Sequence, residues 1–190
     1  MITGIVEIKD FLQDPDETVK VAKSCSFYSL ENHPKTLDQD DKKLSWQGMR
    51  SDSLYKFDKP LSDFLFNRLF CKIAEKAVGG DKFGMSYEYY GNSSFHYFTE
   101  DNVLDSSWVH NDEGSLFAGV LYLNKDAPEN TGTVVIDDNP VVVKNEYNKL
   151  VLYPAHFKHY AQGGFGKDVN DARLSIVFFI SSVSFRLNCA

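Results

Sequence analysis

The sequence predicts a mainly β protein of the α+β class, an antiparallel sandwich or barrel with helices packed along one outer face. The second half of the chain consists of short apolar runs separated by turn clusters such as "DAPENTG" (126–132) and "DDNP" (137–140). No helical segment divides those runs, which favours antiparallel pairing over a parallel α/β sheet. Two segments with helical signals precede them. The helices are therefore expected to come first and to cover a β core that follows.

The first helical segment begins near residue 15, after a short strand-like run, "GIVEI" (4–8). Asp14 stands before Pro15, and Glu17 follows three residues after Asp14. An acidic cap followed by proline at the first helical position is typical of a helix start. This pattern predicts a helix over about residues 15–25.

The segment "HPKTLDQDDKKLSWQGMRSD" (33–52) is polar, charged and aperiodic, which predicts a long surface excursion. Excursions of this length are usually functional or mobile, so residues 33–53 are a candidate lid. Trp46 and Arg50 are its most interesting side chains. One interpretation has both residues meeting a substrate, and the other has the Trp pinning the loop while the Arg is solvated.

The second helical segment starts at Pro60 and ends at Gly79 and Gly80, where a helix C-cap is expected. Its apolar residues recur at steps of three and four, as on one face of a helix. They are Leu61, Phe64, Leu65, Leu69, Ile73 and Ala77. We expect this helix to be scaffold.

Length and composition place limits on the function. A chain of 190 residues with 43% hydrophobic residues is long enough for one domain with a substantial core. We take residues 1–190 as one domain, with a helical and lid part at 1–94 and the β core at 95–190. The net charge of −7 argues against nucleic acid as a partner, because phosphate binding relies on Lys and Arg.

The cysteines and the N-terminus bear on the compartment. The three cysteines include no C-x-x-C pair, so we expect reduced thiols and no metal site built from them. The N-terminus lacks the charge and apolar pattern of a signal peptide, and no run of apolar residues is long enough to cross a membrane. The expectation is a soluble, cytoplasmic protein without a membrane partner, and nothing in the sequence indicates an oligomeric state.

A candidate metal site lies in "SSWVHNDEG" (106–114), where His110 and Asp112 are two residues apart. Side chains two apart leave the same face of a strand and can converge on one ion. A third ligand follows the run "KLVLYP" (149–154) as His156 or His159. Two imidazoles and one carboxylate on one face of an octahedron suit Fe(II). The alternative is a turn in which Asp112 caps backbone amides and His110 is solvated.

A candidate anion site lies at the start of the last strand-like run, "RLSIVFFIS" (173–181). Arg173 and Ser175 share one face of a strand that reads as buried on both sides. A buried guanidinium needs an anionic partner, and a planar fork beside a hydroxyl is a good receptor for a carboxylate. The alternative is a strand-end arginine paired with a nearby aspartate such as Asp171. His96 and Tyr97 lie on a strand beside this region, where core packing accounts for them as well as function does.

Together these motifs resemble the iron(II)- and 2-oxoglutarate-dependent dioxygenases, most closely the prolyl-4-hydroxylase-like branch and related small phage and bacterial proteins. The resemblance covers residues 95–180. The family pattern H-x-D…H…R matches His110, Asp112, His159 and Arg173. The family's Y-L-N is present at 122–124, and "LVLYPAHFKH" (150–159) matches the run that ends in the distal ligand, which selects His159 over His156. R-x-S is present at 173–175.

The resemblance implies a double-stranded β-helix, or jelly-roll, core with N-terminal helices. It implies metal ligands at His110, Asp112 and His159, and 2-oxoglutarate contacts from Arg173, Ser175 and Tyr122. The implied cofactors are Fe(II), 2-oxoglutarate and O2, with ascorbate as a reductant. A virus-encoded protein acting in the host cytoplasm fits the same resemblance.

The implied reaction is hydroxylation of an organic substrate with release of succinate and CO2. A peptidyl side chain, first of all proline, leads the substrate classes, followed by a free amino acid or small metabolite, with a nucleobase third because of the negative charge. Trp46 and Arg50 are the candidate substrate contacts. The alternative from a different class is a catalytically silent jelly-roll that uses its pocket for binding or assembly.

Overall fold

Helices form where the caps and apolar spacing predict them. The structure, a computed structural model, describes residues 3–33, 46–78 and 85–187. Helix α1 spans Pro15–Ser24, and the Asp14 side chain accepts a hydrogen bond from Glu17 N at 3.1 Å, as the capping pattern predicts. Helix α2 is a single turn, Leu54–Phe57, and helix α3 spans Lys59–Val78. The two helices predicted from the sequence are confirmed.

Within residues 3–33, 46–78 and 85–187, the structure has ten strands. The first three are short: β1 (Val6–Ile8), β2 (Phe27–Tyr28) and β3 (Met49–Ser51). The others are β4 (Met85–Phe98), β5 (Phe117–Tyr122), β6 (Gly132–Ile136), β7 (Pro140–Lys144), β8 (Leu150–Pro154), β9 (Lys158–Gln162) and β10 (Arg173–Leu187). Short helical turns occur at Leu30–Asn32 and Ser106–Trp108.

The strands form two antiparallel sheets. The major sheet has the order β1-β8-β5-β10-β4-β3-β2, and the minor sheet has the order β7-β6-β9. The predicted division at residue 94 lies inside β4, and strands from both parts of the chain join the major sheet. The predicted mainly β architecture is confirmed, and its long central strand β10 pairs with β4 on one side and β5 on the other.

The core has two parts that lie on opposite faces of the major sheet. The larger part joins the sheet to α1 and α3, as the sequence predicts for helices on one outer face. Its most buried members include Phe11, Leu54, Leu65, Leu69, Phe95, Leu121, Ile176 and Phe178. The smaller part joins the two sheets and is formed by Ala118, Tyr122, Val135, Val143, Val151, Tyr153, Ala155 and Phe157.

The buried face of α3 differs in part from the predicted face. Leu65 and Leu69 are fully buried, as expected, but Phe64 is 45% exposed, and Phe66 and Phe70 are buried instead. Phe66 packs against Phe178 of the sheet with ring centroids 5.7 Å apart. The predicted inward position of Phe64 is therefore wrong, because the sheet meets a stripe of the helix that is rotated from the one the spacing suggested.

The N-terminal segment is attached to the core by Asn148, in the turn before β8. Asn148 adopts a positive φ of 60°, and its buried side chain exchanges two hydrogen bonds with the backbone of Leu12, at 2.7 and 2.9 Å. A short amide side chain tolerates this left-handed conformation better than most residues. The turn thereby holds the chain that leads into α1 against the sheet. Among the described residues, no helix combines the length and apolar character needed to cross a bilayer.

Candidate active site

The two sheets bring together the predicted metal ligands. One potential ligand atom each from His110, Asp112 and His159 lies within 4.8 Å of the others. His159 Nε2 is 3.3 Å from Asp112 Oδ2, close to the separation of about 3 Å expected for neighbouring ligands with bonds of about 2.1 Å. His156 is exposed and lies outside this cluster. The structure thus favours His159 as the third donor, as the family pattern does.

Both imidazoles are oriented by the backbone. His110 Nδ1 lies 3.1 Å from Trp108 O, and His159 Nδ1 lies 3.0 Å from Phe157 O. Each ring can therefore donate its Nδ1–H to a carbonyl two residues earlier, which leaves Nε2 as the lone-pair donor toward the cluster. Such outer contacts fix the tautomer and direction of metal-binding histidines.

The electrostatics of His110 suit a neutral ligand. Desolvation, with the neighbouring His159 as a smaller cause, lowers the pKa of His110 below 6.5. An imidazole must be neutral to bind a metal, so a lowered pKa keeps His110 available under mildly acidic conditions. The two rings lie close together, with centroids 4.4 Å apart.

Arg173 is buried, and no carboxylate of the described residues pairs with it. The residue is 1% exposed, and its Nη2 donates to Gly132 O at 2.5 Å. Its Nε and Nη1 have no hydrogen-bond partner among the described residues. The alternative pairing with Asp171 does not occur, because the Asp171 carboxylate accepts from the backbone of Lys167 and Asp168. Burial lowers the pKa of Arg173, as expected for a guanidinium withdrawn from water.

Gly132 shapes the backbone that meets Arg173. Its φ is +153°, and a Cβ at this position would lie 2.2 Å from Val143 O on the neighbouring strand. Only glycine fits, because any side chain would overlap that carbonyl. On the other side of the guanidinium, Arg173 Cζ lies 5.1 Å from the centre of the Phe98 ring.

The other two predicted cofactor contacts differ in position. Ser175 lines the cavity beside Arg173, and its hydroxyl donates to His96 O at 3.2 Å. Tyr122 is fully buried, and its hydroxyl donates to Thr133 Oγ1 at 2.8 Å. Tyr122 is not among the residues that line the cavity, although its hydroxyl interacts with the Arg173 guanidinium. Burial raises the pKa of Tyr122 to about 12, so it is a neutral hydroxyl at physiological pH.

Trp46 and Arg50 also line the cavity. Arg50 Cζ lies 4.7 Å from the Trp46 ring centre, and Arg50 Nη2 lies 3.5 Å from His96 Nδ1. Trp46 is 8% exposed and packs edge-on against His33. Trp46 is packed, as the loop-pinning interpretation has it, and Arg50 lines the cavity and is half-buried. Contact of either residue with a substrate stays a prediction. Residues 34–45 of the predicted lid lie outside the described residues.

The cavity has a volume of about 860 Å³ and lies between the sheets. Its lining includes residues that the sequence did not single out: Asn92, Ser94, Phe98, Thr133, Tyr153 and Ala161. Three of them alternate along β4 with His96, a polar and aromatic face where a core strand would be apolar. That alternation is the signal that could have identified them. Tyr97 faces the opposite side and packs on Phe27.

These residues fit the groups that the resemblance implies. Two imidazole nitrogens and one carboxylate oxygen on neighbouring positions form the donor set that Fe(II) accepts on one face of an octahedron. The Arg173 guanidinium, whose Nε and Nη1 lack partners among the described residues, carries the charge and the N–H groups from which a carboxylate accepts hydrogen bonds. The two features line the same cavity, as one dicarboxylate bound at both ends would require.

No protein-family model matches the sequence, and no curated protein matches it either. Solved structures do. An oxidoreductase of the 2OG-Fe(II) oxygenase family from Burkholderia pseudomallei aligns with a TM-score of 0.55 at 12% identity, covering 94% of this chain and 84% of that chain.

Two further structures agree with the first. A prolyl hydroxylase from Trichoplax adhaerens, in complex with a hypoxia inducible factor peptide, aligns with a TM-score of 0.55 at 13% identity, covering 94% of this chain and 83% of that chain. HygX from Streptomyces hygroscopicus, with nickel and 2-oxoglutarate bound, aligns with a TM-score of 0.54 at 11% identity, covering 93% of this chain and 81% of that chain. At these identities the likeness concerns the fold. The chain therefore has the jelly-roll fold of the 2-oxoglutarate- and iron(II)-dependent oxygenases.

Proposed function

We propose that this protein is a 2-oxoglutarate- and iron(II)-dependent dioxygenase that hydroxylates an organic substrate. The observation that carries the proposal is the pairing, in one cavity, of the His110, Asp112 and His159 cluster with the orphaned guanidinium of Arg173. Either feature alone would be compatible with a purely structural role. Together they match a keto acid that binds a metal at one end and an arginine at the other.

Each side chain has a role in this proposal. His110, Asp112 and His159 hold the ion, and the two backbone contacts of the imidazoles keep their Nε2 atoms directed at it. Arg173 and Ser175 hold the distal carboxylate of 2-oxoglutarate, and Tyr122 supports the guanidinium from behind. When bound, iron and 2-oxoglutarate supply the oxidising chemistry, in which a C–H group, O2 and the keto acid become an alcohol, succinate and CO2. The chain positions these groups and limits the access of water.

The substrate classes keep the order that the resemblance gives. A peptidyl side chain comes first, since one of the aligned structures holds a peptide. A free amino acid or small metabolite comes second, and a nucleobase comes third because the chain carries a net charge of −7.

Two measurements test the proposal. The first is binding of Fe(II) and then 2-oxoglutarate without oxygen, followed by calorimetry and by the visible absorption of a keto acid chelating ferrous iron. The second is formation of succinate from 2-oxoglutarate in air, with ascorbate as reductant. His110→Ala is the site variant, and His156→Ala is its matched control, because His156 is an exposed histidine near the site in sequence.

We expect wild type and His156→Ala to bind both ligands and to form succinate, and His110→Ala to fail in both. If the protein is a catalytically silent jelly-roll, wild type should bind Fe(II) and 2-oxoglutarate, but neither wild type nor a variant should form succinate, even with candidate substrates added. Absence of metal and 2-oxoglutarate binding in the folded wild type would refute the proposal altogether.

A further inference from the structure

We propose that Arg50 binds a carboxylate of the substrate, which reverses the order of substrate classes that the resemblance gives and places a small organic acid before a neutral peptide segment. This inference rests on the proposed function, since it concerns the substrate of the same cavity. Arg50 lines the same cavity as the metal-ligand cluster but has no part in the cluster or in the Arg173 site.

Arg50 is a cation, and the part of the chain that the structure describes supplies no anion in contact with it. No carboxylate of the described residues lies within ion-pair distance of it, and its Nε is buried without a hydrogen-bond partner. Its polar neighbour is His96 Nδ1 at 3.5 Å, a long contact that satisfies little of a guanidinium. Burial lowers the pKa of Arg50 to about 10, so the group stays charged at neutral pH. A charged guanidinium that is partly withdrawn from water is stabilised by an anion in contact with it.

His96 cannot provide that anion or share the charge. Its Nε2 lies 2.7 Å from Gln47 O, which assigns the proton to Nε2 and leaves Nδ1 to accept from Arg50. Aromatic rings take two other sides of the guanidinium, with Trp46 at 4.7 Å and Phe179 at 5.6 Å from Cζ. These contacts hold the guanidinium in place, while its Nε has no hydrogen-bond partner among the described residues.

A charge tally of the loaded cavity leads to the same conclusion. A divalent ion, the Asp112 carboxylate and the metal-end carboxylate of 2-oxoglutarate sum to zero. The distal carboxylate of 2-oxoglutarate cancels Arg173. Among the described buried or half-buried groups that line the cavity, Arg50 is then the one whose charge is uncompensated; Glu113 also lines the cavity but is exposed. A substrate carboxylate would cancel it.

The competing interpretation is that Arg50 serves only to balance Asp112, whose charge does favour the guanidinium. Once Asp112 binds a divalent ion, that balance is lost and the ion repels Arg50. The cavity of about 860 Å³ also contains the proposed metal and 2-oxoglutarate sites, so the volume left for the substrate is smaller than that value.

The test uses the full chain loaded with Mn(II) and saturating 2-oxoglutarate without oxygen, so that Arg173 is occupied. Calorimetry then compares anions with their neutral amides: propionate with propionamide, benzoate with benzamide, and N-acetyl-L-proline with N-acetyl-L-prolinamide. The variants are Arg50→Gln, Arg50→Lys and, as a charge-matched control on an exposed strand, Lys144→Gln. Thermal unfolding confirms that each variant is folded.

We expect at least one acid to bind at least tenfold more tightly than its amide to wild type and to Lys144→Gln. Arg50→Gln should lose this preference for the acid while still binding 2-oxoglutarate. If Arg50→Gln fails to fold, Arg50→Lys takes its place and should show a weaker preference for the acid than wild type does. Equal binding of acids and amides, or an unchanged preference in Arg50→Gln, would overturn the inference. So would a tenfold loss of 2-oxoglutarate affinity in Arg50→Gln, because Arg50 would then serve the keto acid. If wild type does not bind 2-oxoglutarate at all, the proposed function itself has failed.

Discussion

The backbones of His110 and His159 exchange two hydrogen bonds, from His110 N to His159 O at 3.0 Å and from His159 N to His110 O at 2.8 Å. This isolated antiparallel bridge continues the minor sheet beyond β9 and brings two distant segments to one point. Directly opposed residues of an antiparallel pair project their side chains to the same side. The bridge therefore places both imidazoles at the cavity before any metal binds.

Removing one donor of the cluster should abolish tight metal binding. For Asp112→Ala or His159→Ala we expect a loss of Mn(II) affinity of more than about 100-fold, above the effect usual for residues behind the ligands. His156→Ala should bind Mn(II) as wild type does. Titration followed by electron paramagnetic resonance measures the affinity. A loss in His156→Ala equal to that in His159→Ala would contradict the assignment of the third donor.

Replacing Arg173 by methionine should separate stability from cofactor binding. The wild-type guanidinium is buried, and its Nε and Nη1 have no partner among the described residues. A buried charge without an ionic partner is costly, so an apolar side chain of similar length should be neutral or stabilising. Arg173→Met should therefore unfold in urea at the same or a higher concentration than wild type without ligand. It should also lose the stabilisation by 2-oxoglutarate, about 2.7 kcal/mol at a hundredfold excess over Kd in the wild type. A variant that unfolds earlier and still gains stability from 2-oxoglutarate would argue against the carboxylate site.

Gly132→Ala should impair both the fold and the cofactor site. The added Cβ would overlap Val143 O and displace the carbonyl that accepts from Arg173. We expect a loss in the free energy of unfolding of more than about 2 kcal/mol, combined with weaker binding of 2-oxoglutarate. Gly4→Ala is the matched control, because a Cβ at Gly4 meets nothing within 4 Å. Wild-type stability in Gly132→Ala would show that the strand adjusts without cost.

Stability should fall as the pH falls below 6.5, partly because of His96. Burial, with the Arg50 charge as a smaller cause, holds the pKa of His96 well below 6.5 in the folded state. The unfolded chain therefore binds a proton that the folded protein does not, so stability is complete above pH 6.5 and is lost as the pH decreases toward the folded-state pKa.

Urea unfolding with a chelator present, from about pH 8 to about pH 5, measures this loss across the range in which histidine titrates. In His96→Gln, whose amide can still donate to Gln47 O, the decrease should be smaller than in wild type. His110, whose pKa is also lowered, accounts for part of the decrease that remains. An identical pH dependence in the two proteins would show that His96 is not the titrating group.

Local patterns in the sequence determined the elements and the chemistry of the candidate ligands. The capped start of α1, the length of α3 and the apolar runs of the β core depend on neighbours a few residues apart, and these predictions are confirmed. The H-x-D spacing predicted two donors on one face, since side-chain direction alternates along extended backbone. For the third donor the residues alone left His156 and His159 open.

Tertiary structure decided which of these side chains meet. The bridge from His110 to His159, the hydrogen bond from Arg173 to Gly132 O and the contact of Arg50 with His96 all join segments far apart in the chain. The rotation of α3 that exposes Phe64 has the same origin, because the sheet it packs on is assembled from distant strands. Periodicity fixes the face on which a residue lies only relative to its own element. The order and register of the strands, set by the packing of the whole core, fix what that face meets.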